Sequence, residues 1–213
     1  MKLILVRHGE TYWNEERRIQ GGGSDVELNK VGINQANKLA SLLKNENIAT
    51  IVSSPLKRAI STAEAIARHH QLAIEVDDGL KELGVGELEG LSALNLSTTF
   101  SQFLMQWWQG ERLEERLPGG ESFVELQQRS WAVIERLLAE HKASPEHSEG
   151  TTLVTVSHYF AILAIILKAL DLPLACFTKF KLDTGGISIL EFEDHGTRLI
   201  AFNDTSYVSH EES

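Results

Sequence analysis

The sequence has little cysteine and little positive charge, and each shortage excludes a class of protein. Its single cysteine, Cys176, cannot form an internal disulfide, and we interpret it as a small buried hydrophobe. The 20 lysine and arginine residues are outnumbered by 30 aspartate and glutamate residues, which gives a formal net charge of −10. Nucleic acids and anionic membranes attract basic surfaces, so neither is an expected partner. An anionic substrate would have to be bound by a local group of arginines.

Long hydrophobic runs are also missing. The longest apolar stretch, residues 160–167, ends at Lys168 and is too short to span a bilayer. The N-terminal apolar run ends at Arg7 and is too short for the core of a signal peptide. The cytoplasm is therefore the expected compartment. With 213 residues, of which 42% are hydrophobic, the chain can form one large domain or a domain with a sizeable insertion.

Short apolar runs alternate with helical patterns along most of the chain. The runs at 3–6, 50–54 and 152–157 predict strands, and helices are expected at about 31–44, from Pro55 to about His70, and at about 160–170. Ser54 followed by Pro55 is a typical helix start. Two later runs, 186–192 and 199–202, predict two more strands. This order predicts a three-layer α/β/α fold with a mostly parallel central sheet.

The segment at about 91–121 breaks this alternation. It contains the aromatic sequence FSQFLMQWWQG and the turn PGGES, and a long amphipathic helix follows at about 122–141. We interpret the segment as a helical cap insertion on a single domain that covers residues 1–213. On a helix, Trp107 and Trp108 would point about 100° apart. One of the two rings is therefore expected to face the mouth of a pocket while the other packs inward.

Two histidines follow equivalent predicted strands. His8 comes directly after the first strand and His158 directly after the strand at 152–157, where sites form in parallel sheets. Arg7 lies beside His8, and Arg58 lies in the first turn predicted after Pro55, where free N–H groups favour an anion. The arginines could hold a phosphate through bidentate hydrogen bonds. The alternative is a pair of structural histidines in the core.

Motifs in these regions resemble those of one known family. RHGETYWN, at residues 7–14, resembles the signature of the histidine phosphatase superfamily, the phosphoglycerate mutase-like proteins. RRIQG, SSPLKRAISTAEAIA, LKELGVGELEGLS, LPGGESFVEL and TVSH have counterparts in the family in the same order. The resemblance covers nearly the whole chain and implies a metal-independent phosphomonoesterase of the histidine acid phosphatase type, without a cofactor.

The resemblance implies a role for each matching residue. His8 corresponds to the phosphorylated nucleophile, and Glu82 to the acid that protonates the leaving oxygen and then activates water. The groups that bind phosphate in the family correspond to Arg7, Asn14, Arg58 and the second catalytic histidine, His158. Glu87 and Glu89 compete with Glu82 on spacing and are ranked below it. A neutral histidine surrounded by cations can accept a phosphoryl group by positioning and charge stabilisation.

Tyr159 departs from the family pattern, which commonly has glycine after the second histidine. The backbone N–H remains available at this position, so phosphate binding is not lost. The ring of Tyr159 is expected to narrow or reshape the substrate pocket, and we assign the residue to substrate binding.

Chain length and the C-terminal sequence indicate a branch of the family. The short chain lacks the extra segments of mutases, which favours hydrolysis of a small-molecule phosphate ester. FKLDTGGISILEF and LIAFNDTSY resemble the C-terminal part of α-ribazole-5′-phosphate phosphatases, which act in cobalamin nucleotide-loop assembly. We therefore expect that activity. A broad-specificity phosphatase, a phosphoglycerate mutase or fructose-2,6-bisphosphatase-like enzyme, and a non-catalytic phosphate-binding protein remain open, as does a homodimer.

Overall fold

The structure is a computed structural model that describes residues 1–92, 101–143 and 151–208. Part of the predicted cap insertion lies outside the described residues. No helix in the described ranges is long and apolar enough to cross a membrane.

The described residues form a six-stranded mixed sheet in the order β3-β2-β4-β1-β5-β6. The strands are β1 (Lys2–Arg7), β2 (Ile48–Ser53), β3 (Ile74–Val76), β4 (Thr152–Ser157), β5 (Ile187–Glu193) and β6 (Gly196–Asp204). β3, β2, β4 and β1 run parallel, whereas β5 pairs antiparallel with both β1 and β6. The prediction of a mostly parallel sheet is confirmed.

Helices cover both faces of this sheet. The α-helices of the described residues are α1 (Tyr12–Glu15), α2 (Lys30–Leu43), α3 (Lys57–Ala67), α4 (Ser101–Trp108), α5 (Phe123–Ala143) and α6 (Tyr159–Ala169). Successive side chains of a strand point to opposite faces. Ile4 and Val6 of β1 accordingly pack in one core cluster with residues of α2 and α3, whereas Leu3 and Leu5 pack in another with residues of α5 and α6. This arrangement is the expected three-layer α/β/α fold.

The central strands position the functional loops. β4 is buried along its whole length, as is β1 from Leu3 to Val6, which explains their nearly continuous apolar sequences. The two strands pair in register so that Arg7 lies opposite Ser157. Since both strands run in the same direction, the residues that follow them emerge side by side at one edge of the sheet.

Several local predictions differ from the structure. α3 begins at Lys57, two residues later than Ser54 and Pro55 suggest, because the backbone of Leu56 is still extended; Asp25 Oδ1, from another loop, accepts a hydrogen bond from Lys57 N at 2.7 Å. The edge strand β3 and the four-residue helix α1 were not predicted, and β6 begins three residues earlier than expected. Cys176 is half-buried rather than buried.

Candidate active site

His8 and His158 lie together at the ends of β1 and β4. Their ring centroids are 5.0 Å apart with the planes tilted by 57°. His8 N also donates to Ser157 O at 3.0 Å, which continues the pairing of the two strands by one residue. The equivalent positions predicted from the sequence therefore bring both rings to one place.

The hydrogen bond of His8 defines its tautomer. Nδ1 lies 2.7 Å from Gly9 O, and a carbonyl oxygen only accepts hydrogen bonds, so we assign the proton to Nδ1. The lone pair is then on Nε2. Burial, together with the charges of Arg58 and Arg7, lowers the pKa of His8 well below 6.5. The ring is neutral at physiological pH and can act as a nucleophile.

Arg58 is fully buried in the first turn of α3, as predicted. Its Nη1 donates to Ser24 O at 2.8 Å and its Nη2 donates to Gly21 O at 3.0 Å. Burial lowers the pKa of the guanidinium to about 10, and this leaves it charged at neutral pH. Arg58 is thus a fixed cation next to both histidines.

His158 is held between Arg58 and a serine that sequence reasoning missed. Arg58 Nε lies 3.3 Å from Nδ1 of His158, and Nε2 lies 2.7 Å from Ser54 Oγ. An arginine Nε can only donate, so Nδ1 accepts and the Nε2 proton is directed at Ser54. Burial lowers the pKa of His158 well below 6.5, with a further contribution from Arg58. Because only Nε2 carries a proton, a phosphoryl oxygen that accepted a hydrogen bond from this ring would replace Ser54 Oγ.

Arg7 lies beside His8 with its guanidinium against an aromatic ring. Its Cζ is 5.2 Å from the ring centroid of Tyr159, and its Nη1 donates to Leu182 O. Burial lowers the pKa of Arg7 from its usual value. The hydroxyl of Tyr159 donates to Phe180 O at 3.0 Å. The tyrosine ring therefore lies on the wall of the site next to the first arginine.

Glu82 is buried and hydrogen-bonded, with only 5% of its surface exposed. Its Oε1 accepts from Leu83 N at 2.8 Å, and Phe160 N lies 3.2 Å from both carboxylate oxygens. Burial raises the pKa of Glu82 from 4.5, although the hydrogen bonds and the nearby arginines oppose that change. Such a carboxyl group can hold a proton at a higher pH than an exposed glutamate.

The two competing glutamates have different surroundings. Glu87 is exposed. Glu89 accepts hydrogen bonds from Gly21 N at 2.7 Å, from Gly23 N at 3.3 Å and from Ser24 Oγ. Its carboxylate thereby fixes the loop whose carbonyl groups hold Arg58. Glu89 is a support for the site that spacing alone did not reveal.

Asn14 is oriented by the N-terminus of α1. Its Oδ1 accepts from Thr11 N at 3.1 Å, and its backbone N donates to Thr11 Oγ1 at 3.2 Å. In this capping box, the side-chain oxygen of Asn14 is the atom that accepts a hydrogen bond at the helix N-terminus. The Nδ2 group makes no hydrogen bond with the described residues, and Asn14 lines the same cavity as His8. The amide can therefore donate to a ligand.

A cavity of about 320 Å³ opens beside these groups. Its polar end is lined by Arg7, His8, Asn14 and Glu82. Most of the remaining wall is apolar, with an aromatic part formed by Trp107, Trp108, Tyr159 and Phe160. Arg58 and His158 are fully buried and do not line the cavity themselves. The arrangement combines an anion-binding end with space for an apolar group.

The two tryptophans of α4 face different surroundings. Trp107 is 2% exposed and packs against Phe123 and Phe177, whereas Trp108 is 52% exposed. The difference in exposure agrees with the angle expected between neighbouring helical residues, but both rings line the cavity rather than one alone. Within the described ranges, no three His, Cys, Asp or Glu side chains are grouped as metal ligands.

Comparisons with known proteins identify the family. The chain matches the histidine phosphatase superfamily (branch 1) over residues 3–205. It is 36% identical over 194 residues to a probable phosphoglycerate mutase GpmB of Proteus mirabilis, which covers 91% of this chain and 86% of the relative. The protein belongs to the histidine phosphatase superfamily, branch 1. The chain also matches mycobacterial relatives at 34% identity over 209 residues and spans 55% of their length.

Solved structures of phosphatases share the fold. A phosphoserine phosphatase of Entamoeba histolytica is 33% identical, with a TM-score of 0.80 and coverage of 97% of this chain and 98% of that one. A mycobacterial glucosyl-3-phosphoglycerate phosphatase is 29% identical, with a TM-score of 0.85 and coverage of 96% of this chain and 99% of that one. None of these reported relatives is named for α-ribazole phosphate, so that substrate stays a prediction.

Proposed function

We propose that the protein is a phosphomonoester hydrolase that uses His8 as its nucleophile. The observation that carries the proposal is the neutral ring of His8, whose Nδ1 bonds to Gly9 O and whose Nε2 is therefore unprotonated beside Arg7 and Arg58. Nε2 forms a bond to phosphorus as the bond from phosphorus to the ester oxygen breaks. The positive charges of both arginines stabilise the phosphoryl oxygens during this transfer.

Glu82 supplies the proton that the leaving oxygen needs. Its raised pKa favours the protonated form, and it lines the cavity where the alcohol part of the ester would lie. After the alcohol leaves, the Glu82 carboxylate removes a proton from water. The water oxygen then attacks the phosphohistidine, releases inorganic phosphate and restores His8. A protein that only binds phosphate would have no need of an acid at this position.

The remaining polar groups would bind phosphate. Asn14 offers its free Nδ2 to a phosphoryl oxygen. His158 keeps Arg58 in place through Nδ1 and can exchange Ser54 Oγ for a phosphoryl oxygen at Nε2. These groups give the site enough charge and hydrogen-bond donors for transfer without a metal ion.

The cavity favours an ester whose alcohol part is apolar or aromatic. Its wall beyond the polar end is mostly apolar, and flat rings can stack on its aromatic side chains. α-Ribazole-5′-phosphate, which carries a benzimidazole, belongs to this class and is our proposed substrate. The second candidate is an enzyme for small phosphorylated acids, either phosphatase or mutase, because the relatives named for such activities are 29–36% identical.

A substrate panel measured with and without EDTA tests this proposal. The panel contains p-nitrophenyl phosphate, α-ribazole phosphate, phosphoserine and 3-phosphoglycerate, and conversion to 2-phosphoglycerate is followed as the mutase reaction. Labelled substrate quenched in alkali should leave a base-stable, acid-labile phosphoenzyme in the wild type. His8→Ala should abolish that species and reduce the rate by at least about 10³-fold, because a covalent nucleophile is removed.

The matched control is His69→Ala, which changes an exposed histidine at the end of α3. It should retain both the rate and the phosphoenzyme. A His8→Ala variant as active as the wild type would exclude the phosphohistidine mechanism. Inactivity of the wild type towards every ester, with inorganic phosphate still bound, would favour the non-catalytic alternative.

A further inference from the structure

The aromatic ring of Tyr159 covers the guanidinium of Arg7. The separation of 5.2 Å between Arg7 Cζ and the ring centroid lies within the range of a cation–π interaction. The ring is itself fixed, because its hydroxyl donates to Phe180 O at 3.0 Å and Phe160 packs edge-on against it at 5.0 Å. Tyr159 is therefore a rigid surface rather than a mobile side chain.

Arg7 has few other attachments to the protein. Its Nη1 donates to Leu182 O, whereas its buried Nε has no hydrogen-bond partner among the described residues. Arg58 differs, because its Nε, Nη1 and Nη2 each make a hydrogen bond. Without an additional contact, the Arg7 guanidinium would keep rotational freedom that a phosphate ligand would have to remove.

We propose that Tyr159 is a positioning residue that holds the Arg7 guanidinium towards the phosphoryl group and shields it from water. The inference rests on the proposed roles of His8 and Arg7. Phe180 and Leu182 lie two residues apart and accept hydrogen bonds from Tyr159 and Arg7 respectively, so one short segment fixes both partners. A charge covered by an aromatic ring is less screened by water, and its attraction for phosphoryl oxygens is stronger.

Two substitutions test this role, because one removes the aromatic ring of Tyr159 and the other removes only its hydroxyl. Tyr159→Leu keeps apolar bulk but removes the π face, and we expect kcat/KM for p-nitrophenyl phosphate to fall about 3- to 30-fold. The affinity for inorganic phosphate, measured by calorimetry, should fall by a similar factor. Tyr159→Phe keeps the ring over Arg7 and should recover both values to within about threefold of the wild type.

Tyr12→Leu is the matched control. Tyr12 is an exposed tyrosine that begins α1 as Tyr159 begins α6, and it does not line the cavity. This variant should leave both measurements unchanged. Circular dichroism and thermal unfolding would verify the fold of each variant, and Tyr159→Met replaces the leucine variant if the latter does not fold.

A double-mutant cycle decides whether Tyr159 acts through Arg7. In an Arg7→Ala background, Tyr159→Leu should weaken phosphate binding less than about twofold, because the cation that the ring positions is absent. The inference would be overturned if Tyr159→Leu lowered phosphate affinity equally with and without Arg7. It would also be overturned if Tyr159→Leu alone kept the wild-type kcat/KM and phosphate affinity. Phosphate binding does not require turnover, so the cycle remains informative even if every ester proves not to be hydrolysed.

Discussion

The buried guanidinium of Arg58 makes three hydrogen bonds that an ammonium group cannot reproduce together. They connect the loop carbonyls Gly21 O and Ser24 O to the ring of His158. A lysine would keep the charge but lose the planar fork. We expect Arg58→Lys to raise KM and lower kcat for p-nitrophenyl phosphate, with a combined loss of about 10- to 100-fold in kcat/KM.

Arg68→Lys provides the control for that measurement. Arg68 is exposed just after α3 and donates to Asn37 Oδ1 at 3.2 Å, far along the helix from the cavity. Its substitution should change neither parameter. If Arg58→Lys also kept both parameters within about twofold, Arg58 would have only a structural role.

Protonation of Glu82 should be visible in the dependence on pH and on leaving group. The active form needs neutral His8, whose pKa is lowered, and protonated Glu82, whose pKa is raised. Activity should therefore decline on the alkaline side as Glu82 loses its proton. Glu82→Gln should abolish that decline and slow alkyl phosphates far more than p-nitrophenyl phosphate, whose leaving oxygen hardly needs a proton.

Glu87→Gln is the appropriate control, because Glu87 is exposed and does not line the cavity. Glu89→Gln is not a neutral control, since Glu89 fixes the loop that holds Arg58. Equal losses on both types of ester in Glu82→Gln would remove Glu82 from the role of general acid.

At the scale of elements, α4 presents two tryptophans with different expected roles. Trp108 is half exposed at the cavity, so Trp108→Ala should weaken binding of α-ribazole phosphate by about 1–3 kcal/mol and leave small esters nearly unaffected. Trp107 also lines the cavity but is buried, so Trp107→Ala should in addition lower the free energy of unfolding by about 3–5 kcal/mol. Binding assays and urea unfolding distinguish the two effects.

Met105 provides a control on the same helix, because it is 59% exposed and does not line the cavity. Met105→Ala should change neither binding nor stability. If Trp108→Ala weakened all esters equally, stacking of an aromatic leaving group would be the wrong explanation.

The sequence predicts the elements that are long enough to show a clear apolar pattern and misses the shortest ones. β1 and β4 have continuous apolar sequences because helices cover them on both sides. β3 has only three residues and Glu75 at its centre, so it carries no comparable pattern. The four residues of α1 are too few for a helical period, and the contact between Lys57 N and Asp25 at the start of α3 comes from a distant loop.

The same distinction applies to the site. Arg7 ends a strand, His8 and His158 follow strands, and Arg58 lies in the first turn of a helix, so topology alone brings them together. Ser54 and Glu89 support the site through partners that lie 104 and 65–68 residues away in the sequence. No local pattern reports such contacts, and only the fold reveals them.

At the scale of the whole molecule, the buried histidines should make stability depend on pH. His8 and His158 have pKa values well below 6.5 when folded and return to about 6.5 on unfolding, so the unfolded chain binds more protons in this range. Their contribution to stability is present above about pH 6.5 and is lost as the pH falls. Glu82, with its raised pKa, opposes this trend above 4.5 by binding a proton in the folded state.

Because His8 and His158 both favour unfolding on acidification and only Glu82 opposes them, the net effect is a loss of stability as the pH falls. Each additional proton that the unfolded chain binds relative to the folded one changes the free energy of unfolding by about 1.4 kcal/mol per pH unit. We expect the urea midpoint to fall between pH 7 and pH 5.5. The double variant His8→Asn/His158→Asn should show a shallower dependence, whatever its absolute stability, because neither side chain then titrates. The exposed His69→Asn should keep the wild-type slope. A double variant with the wild-type slope would mean that other groups govern the acid sensitivity, and that the two rings are not held neutral by the fold.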